Sequence, residues 1–189
     1  MPPTPRTRLL RRVEAMHHLW ERSVQDLTSD QINHLERTGV LPIAFTLLNY
    51  VKGEDRTAST CLHNEPTLWE TGNWSDRIGG NLPDIRRGTA IDVAERAMIG
   101  DAEQWMTYQR AVFAQTEAHM LTLPDSSYDT IQHETVPEHI KGSFVSNISD
   151  PDGPILLGDL IEGFVFQHGI RHLGELDHSR ALLGLQGVT

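Results

Sequence analysis

The chain has 189 residues, a length typical of one domain with room for its own core, and a formal net charge of −10. That acidic balance repels a phosphate backbone, and the short basic clusters Arg6 to Arg12 and Arg86-Arg87 form no long stripe, so nucleic-acid binding is disfavoured. Cys61 is the sole cysteine, which excludes an intramolecular disulfide and cysteine-rich zinc modules. With no signal-peptide core and no apolar run near the roughly 18 residues of a membrane span, the sequence predicts a soluble, cytoplasmic, single domain over 1–189.

From Thr7 to Leu27 apolar residues recur every three or four positions (Leu9, Val13, Met16, Trp20, Val24), which predicts a first helix with one buried face. Thr28-Ser29-Asp30 supplies capping residues for a short second turn, and Gly39 breaks the pattern ahead of Leu41-Pro42, where proline suits a helix start. A second long helix is expected from Pro42 toward Leu62, carrying Phe45, Leu47, Leu48, Val51 and Ala58, with Gly53 the place for a kink. The polar stretch from Asn64 to Thr89 holds Trp69 and Trp74 among glycines and prolines, and reads as a packed cap.

Ala90 to Met98 reads as a short helix. After Gly100-Asp101 a third long helix carries Trp105, Met106, Val112, Phe113, Thr116 and Met120 on one face until Pro124-Asp125 ends it. A second long connection covers Ser126 to Pro154; its β-prone patch, Ser143-Phe144-Val145-Ser146, is too short to imply a sheet. The terminal helix is expected from Gly158-Asp159 to about Leu183, with Gly184 as its C-cap. Together these elements predict an all-α fold, a four-helix bundle with two long crossover connections.

The terminal helix carries the chemistry. At about 100° per residue, the face containing Ile161, Phe164, Val165, Leu182 and Leu183 also contains His168, His172, Glu175 and Ser179. Burying an imidazole without a partner costs on the order of 1 to 3 kcal/mol, so two on a core face need a reason. One is a shared metal, because histidines four apart lie one turn apart and two ring nitrogens can converge on one zinc, nickel, copper or ferrous ion. The other is a plain hydrogen bond to each other or to a backbone carbonyl, and spacing alone leaves both open. A zinc-protease helix is excluded, since that motif requires Glu directly after the first histidine and Gly169 stands there. Glu175, three residues after His172, suits a general base or an orienting partner, and equally an interhelical ion pair. His17 and His119 neighbour the apolar stripes of the first and third helices and read as boundary histidines; the remaining histidines read as surface or loop residues. Arg180 reads as a capping or pairing residue.

The run from Gly158 to Leu176, with His168-x-x-x-His172-x-Gly174-Glu175-Leu176 followed by Arg180 and Gly184, resembles the terminal helix of the DinB-like family, which includes YfiT-type and thiol-dependent transferases. Leu27-Thr28-Ser29-Asp30-Gln31 resembles the turn after that family's first helix, Leu68 to Trp74 a tryptophan-rich loop of some members, and Tyr108 to Leu123 the third helix. The resemblance implies a four-helix bundle, often a homodimer, in which one histidine of the second helix and two of the terminal helix hold a divalent metal. Here the second-helix position falls on Asn49, whose amide oxygen is a weaker ligand for late transition metals than imidazole. Three expectations follow. The resemblance implies an S-transferase or isomerase that acts on a small electrophilic molecule with a low-molecular-weight thiol, through a zinc, nickel or iron ion held by His168, His172 and Asn49. A second is metal-free acid–base chemistry by Asn49, His168 and Glu175 in the same cavity. A third is a non-enzymatic ligand-binding or interaction module with a degenerate metal site.

Overall fold

The computed structural model describes residues 2–149 and 153–188, and its secondary structure is dominated by helix. Helix α1 spans Pro5–Val24; Thr4 caps it through a bond from the Thr7 amide, and proline occupies its first turn, where no amide is needed. Helix α2, Ser29–Asn33, opens on a reciprocal capping box between Thr28 and Gln31. Helix α3 is Ile43–Arg56 and runs on as a π-helical stretch, Thr57–Leu62, so the second long helix reaches its expected end without breaking at Gly53. Thr57 and Thr60 donate to the carbonyls of Gly53 and Arg56, back-bonding that accompanies the loosened turn.

The first connection is a packed cap containing α4 (Leu68–Thr71) and α5 (Trp74–Ile78), a two-residue strand β1 (Gly80–Asn81), helix α6 (Ile91–Ala94) and strand β2 (Met98–Ile99), which pairs antiparallel with β1. Gly80 has φ +96° and a Cβ there would meet the Met98 carbonyl at 2.3 Å, so only glycine fits this crossing. The expected Ala90 to Met98 helix is thus shorter, its end recruited into the ladder. Helix α7, Ala102–Thr122, is capped by Asp101 and stops before Pro124.

In the second connection, strand β3 (Ile131–His133) pairs with β4 (Ile155–Leu156). The Ser143 to Ser146 patch is no strand: helix α8, Phe144–Ile148, begins there, and the Ser143 side chain accepts the Ser146 amide. Residues 150–152 of this connection lie outside the described residues. The terminal helix comprises α9 (Leu157–Leu160), a π-helical stretch Ile161–Gln167, and α10 (His168–Leu182), with Gly184 at φ +73° behind it.

The four long segments pack in a ring, α1 on α7, α7 on α3, α3 on α10, and α10 on α1. One apolar cluster runs through all of them, filled by Trp20, Tyr50, Trp105 and Tyr108, and Trp74 enters it from the cap. A smaller cluster of Ile140, Val145, Ile155 and Leu160 lies under the second connection. The π stretch shifts the phase of the terminal helix, so its apolar face departs from a uniform 100° step. Phe164 packs in the small cluster, and Leu182, expected on the core face, is 42% exposed. No helix among the described residues is long and apolar enough to cross a membrane.

Candidate functional site

Helix α10 begins at His168, directly after the π stretch, and faces α3. The structure brings His168, His172 and Asn49 together. The Nε2 atoms of the two histidines are 2.9 Å apart, and Nδ2 of Asn49 is 3.3 Å from Nε2 of His172. Three groups border this approach. Gly53, one turn after Asn49, lies against the His168 ring, where a Cβ would stand 3.4 Å from Cε1. The Tyr50 ring meets His168 edge-on at 5.6 Å, and the Trp20 indole donates to the Gly169 carbonyl at 3.1 Å, fixing the helix that carries the pair.

The hydrogen-bond partners set the tautomers. Nδ1 of His172 lies 2.5 Å from the Glu175 carboxylate, so it carries the proton and Nε2 keeps its lone pair. The 2.9 Å between the two Nε2 atoms is either a hydrogen bond donated by His168 or, where His168 carries its proton on Nδ1, a meeting of two lone pairs. Two lone pairs at 2.9 Å repel unless a cation is shared between them, a proton or a metal ion. Burial pushes the His168 pKa down to about 3, and the proximity of His172 and of the Arg171 charge lowers it further, which keeps that imidazole neutral near pH 7.

The donor set fits a small divalent cation. Two nitrogens bound at about 2.05 Å with tetrahedral angles stand about 3.4 Å apart, so a half-ångström ring adjustment suffices. Turning the Asn49 amide over presents its oxygen in place of nitrogen. The set is nevertheless lean: among the described residues no group of three or more His, Cys, Asp or Glu side chains is arranged to hold a metal. Glu175 is spent on Nδ1 of His172, an orienting position within its own helix rather than an interhelical ion pair, and the contact with His172 lowers its carboxyl pKa against the opposing effect of burial.

A second polar cluster lies in the core between α1, α3 and α7. His17, read from sequence as a boundary histidine, is 3% exposed and sits between two carboxylates, with Nδ1 2.7 Å from Glu117 and Nε2 3.0 Å from the fully buried Glu54. Its ring stacks on Phe113 at 4.0 Å. Burial alone would lower its pKa, but Glu54 and Glu117 outweigh burial and push it to about 9. Burial would raise the Glu54 carboxyl pKa, but the neighbouring His17 holds it below the usual carboxylate range. The Nε2–Glu54 contact has the distance of an ion pair without hydrogen-bond alignment, leaving both Glu54 oxygens without an aligned donor. The neighbouring Asp55 is saturated, accepting from the Leu68 and Trp69 amides, Ser59 and Tyr108, which ties the cap to α3 and α7. His119, the other boundary histidine, lies against His63, with ring centroids 3.5 Å apart and the planes tilted by 35°. Arg180 does pair: its fork grips Asp26. The only sequence signal for the His17 cluster was an ionisable residue next to an apolar stripe.

No family model matches the chain, and no curated protein is similar enough to match. Among solved structures it is similar to a crystal structure described as the conserved protein of locus from Enterococcus faecalis, with a TM-score of 0.75 and 13% sequence identity. The match covers 97% of this chain and 99% of that one. At this identity the likeness extends to the fold alone.

Proposed function

We propose that the chain is a four-helix bundle of the DinB-like kind, with the cap and the second connection as its two long crossovers, and that it binds a divalent transition metal through His168 and His172. The observation that carries the reading is the convergence of the two Nε2 atoms at 2.9 Å, one ring neutral by burial and the other oriented by Glu175. Asn49 is the third donor, through its amide oxygen. A metal with an open coordination position lowers the pKa of a thiol or a water, the chemistry a thiol-dependent S-transferase or isomerase needs at neutral pH. The protein's residues supply the rest. Glu175 holds His172 in the tautomer that leaves Nε2 free, Tyr50 and Gly53 fix the His168 ring, and the amide of Asn49 leaves the site less tightly binding than a third imidazole would.

Elemental analysis of freshly purified protein tests the reading. Asn49→His should raise bound zinc, nickel or iron several-fold, and His168→Ala should abolish it; unchanged content in both variants sinks it. A metal-free reading is favoured by the His172–Glu175 contact, which is also the geometry of a carboxylate-activated imidazole base. Thiol-conjugation turnover that survives exhaustive chelation but not His172→Ala would select it.

A further inference from the structure

Arg171 is a cation beside this site, near enough to Glu175 to lower its carboxyl pKa but not in an ion pair with it. Its Nη2 donates to Nε2 of His172 at 3.1 Å, and among the described residues no carboxylate lies within ion-pair distance of its guanidinium. Glu175, one turn along the same helix, is held by Nδ1 of His172. An imidazole lone pair is a poor match for a planar fork of five donors shaped to grip two oxygens at once. The contact is also on the wrong atom for a metal site, because Nε2 of His172 is the lone pair that a metal takes. A metal at His168 and His172 therefore displaces this exposed guanidinium from Nε2.

We propose that Arg171 is the substrate-recognition residue of this site and that the substrate carries a carboxylate. With the metal absent, the guanidinium rests on Nε2 of His172; with the metal bound, it is released and grips the carboxylate in a bidentate pair. This rests on the metal reading above. The test uses Co2+ and acetate as probes on wild type, Arg171→Gln and Arg171→Lys, with calorimetry and the visible cobalt spectrum as readouts. Arg171→Gln should bind Co2+ a few-fold more tightly, because the lone pair is no longer shared. The cobalt-loaded variant should bind acetate at least tenfold more weakly than wild type, and Arg171→Lys should fall between. Acetate affinity unchanged in a glutamine variant that still binds Co2+ through His168 overturns the role of Arg171 and leaves the metal reading standing. Absence of Co2+ binding in both wild type and Arg171→Gln overturns both.

Discussion

His17 shows how strongly two carboxylates can act on one buried imidazole. In the unfolded chain it titrates near its ordinary 6.5; between Glu54 and Glu117 it holds its proton to about 9. The folded state therefore binds that proton more tightly. The stabilisation is full below pH 6.5 and is lost as pH rises through 9. Urea midpoints measured from pH 6 to 10 should fall for the wild type and stay flatter for a His17→Gln/Glu54→Gln double variant. Equal slopes would mean that His17 is neutral in the fold. The single change Glu54→Ala should cost more than the double, about 3 to 5 kcal/mol, because it leaves the buried charged ring with Glu117 as its one counter-charge, whereas removing both charges together removes the desolvation burden as well.

At the scale of elements, the candidate site depends on how closely α10 approaches α1 and α3. Gly169 sets that distance: a Cβ there would meet Met16 Sδ at 2.1 Å and Tyr50 Oη at 2.6 Å, and the Tyr50 ring cannot retreat because it stacks on Trp20 at 4.6 Å. Gly169→Ala should push α10 outward, cost about 1 to 3 kcal/mol by overpacking, and separate His168 from Asn49, so that metal content falls with stability. Gly174, one and a half turns on, is the control. It is exposed, with nothing within 4 Å of a built Cβ, so alanine there should stabilise by about 0.5 to 1 kcal/mol through helix propensity and leave metal content unchanged. Thermal unfolding of the two variants side by side separates packing from propensity, and equal effects would refute the tight approach at Gly169.

Over the whole molecule, what the sequence made legible was local and what it hid was long-range. The apolar periods of Leu9 to Val24 and Trp105 to Met120 announce their helices because each residue's role is set by neighbours three and four positions away. The π stretch at Ile161–Gln167 leaves no such mark, since i to i+5 bonding has no composition of its own, and it moved Leu182 off the expected face. Ser143 to Ser146 has strand-like residues, yet one serine cap decided for helix. His168, His172 and Glu175 were legible as one helical face, while the His17 pairings span 37 and 100 positions and could not be read from spacing. The longest-range tie is Arg180. It joins the last helix to the first by donating to Asp26 through both terminal nitrogens and to the Ser23 carbonyl at 2.7 Å, while Nε reaches the Gln186 carbonyl in the C-terminal tail. The Asp26 side chain is 53% exposed, so the ion pair itself is a minor contributor; the carbonyls that lose their donor dominate, at about 1 to 3 kcal/mol for a buried one. Arg180→Met should therefore destabilise by about 2 kcal/mol, a fall of roughly 4 to 8 °C in Tm for a chain of this size. Asp26→Asn should cost less than half as much. The reverse order in calorimetry would place the energy in the ion pair, and metal content should be unchanged in both variants, because the tie holds the far end of α10 and leaves His168 on its seat against Tyr50.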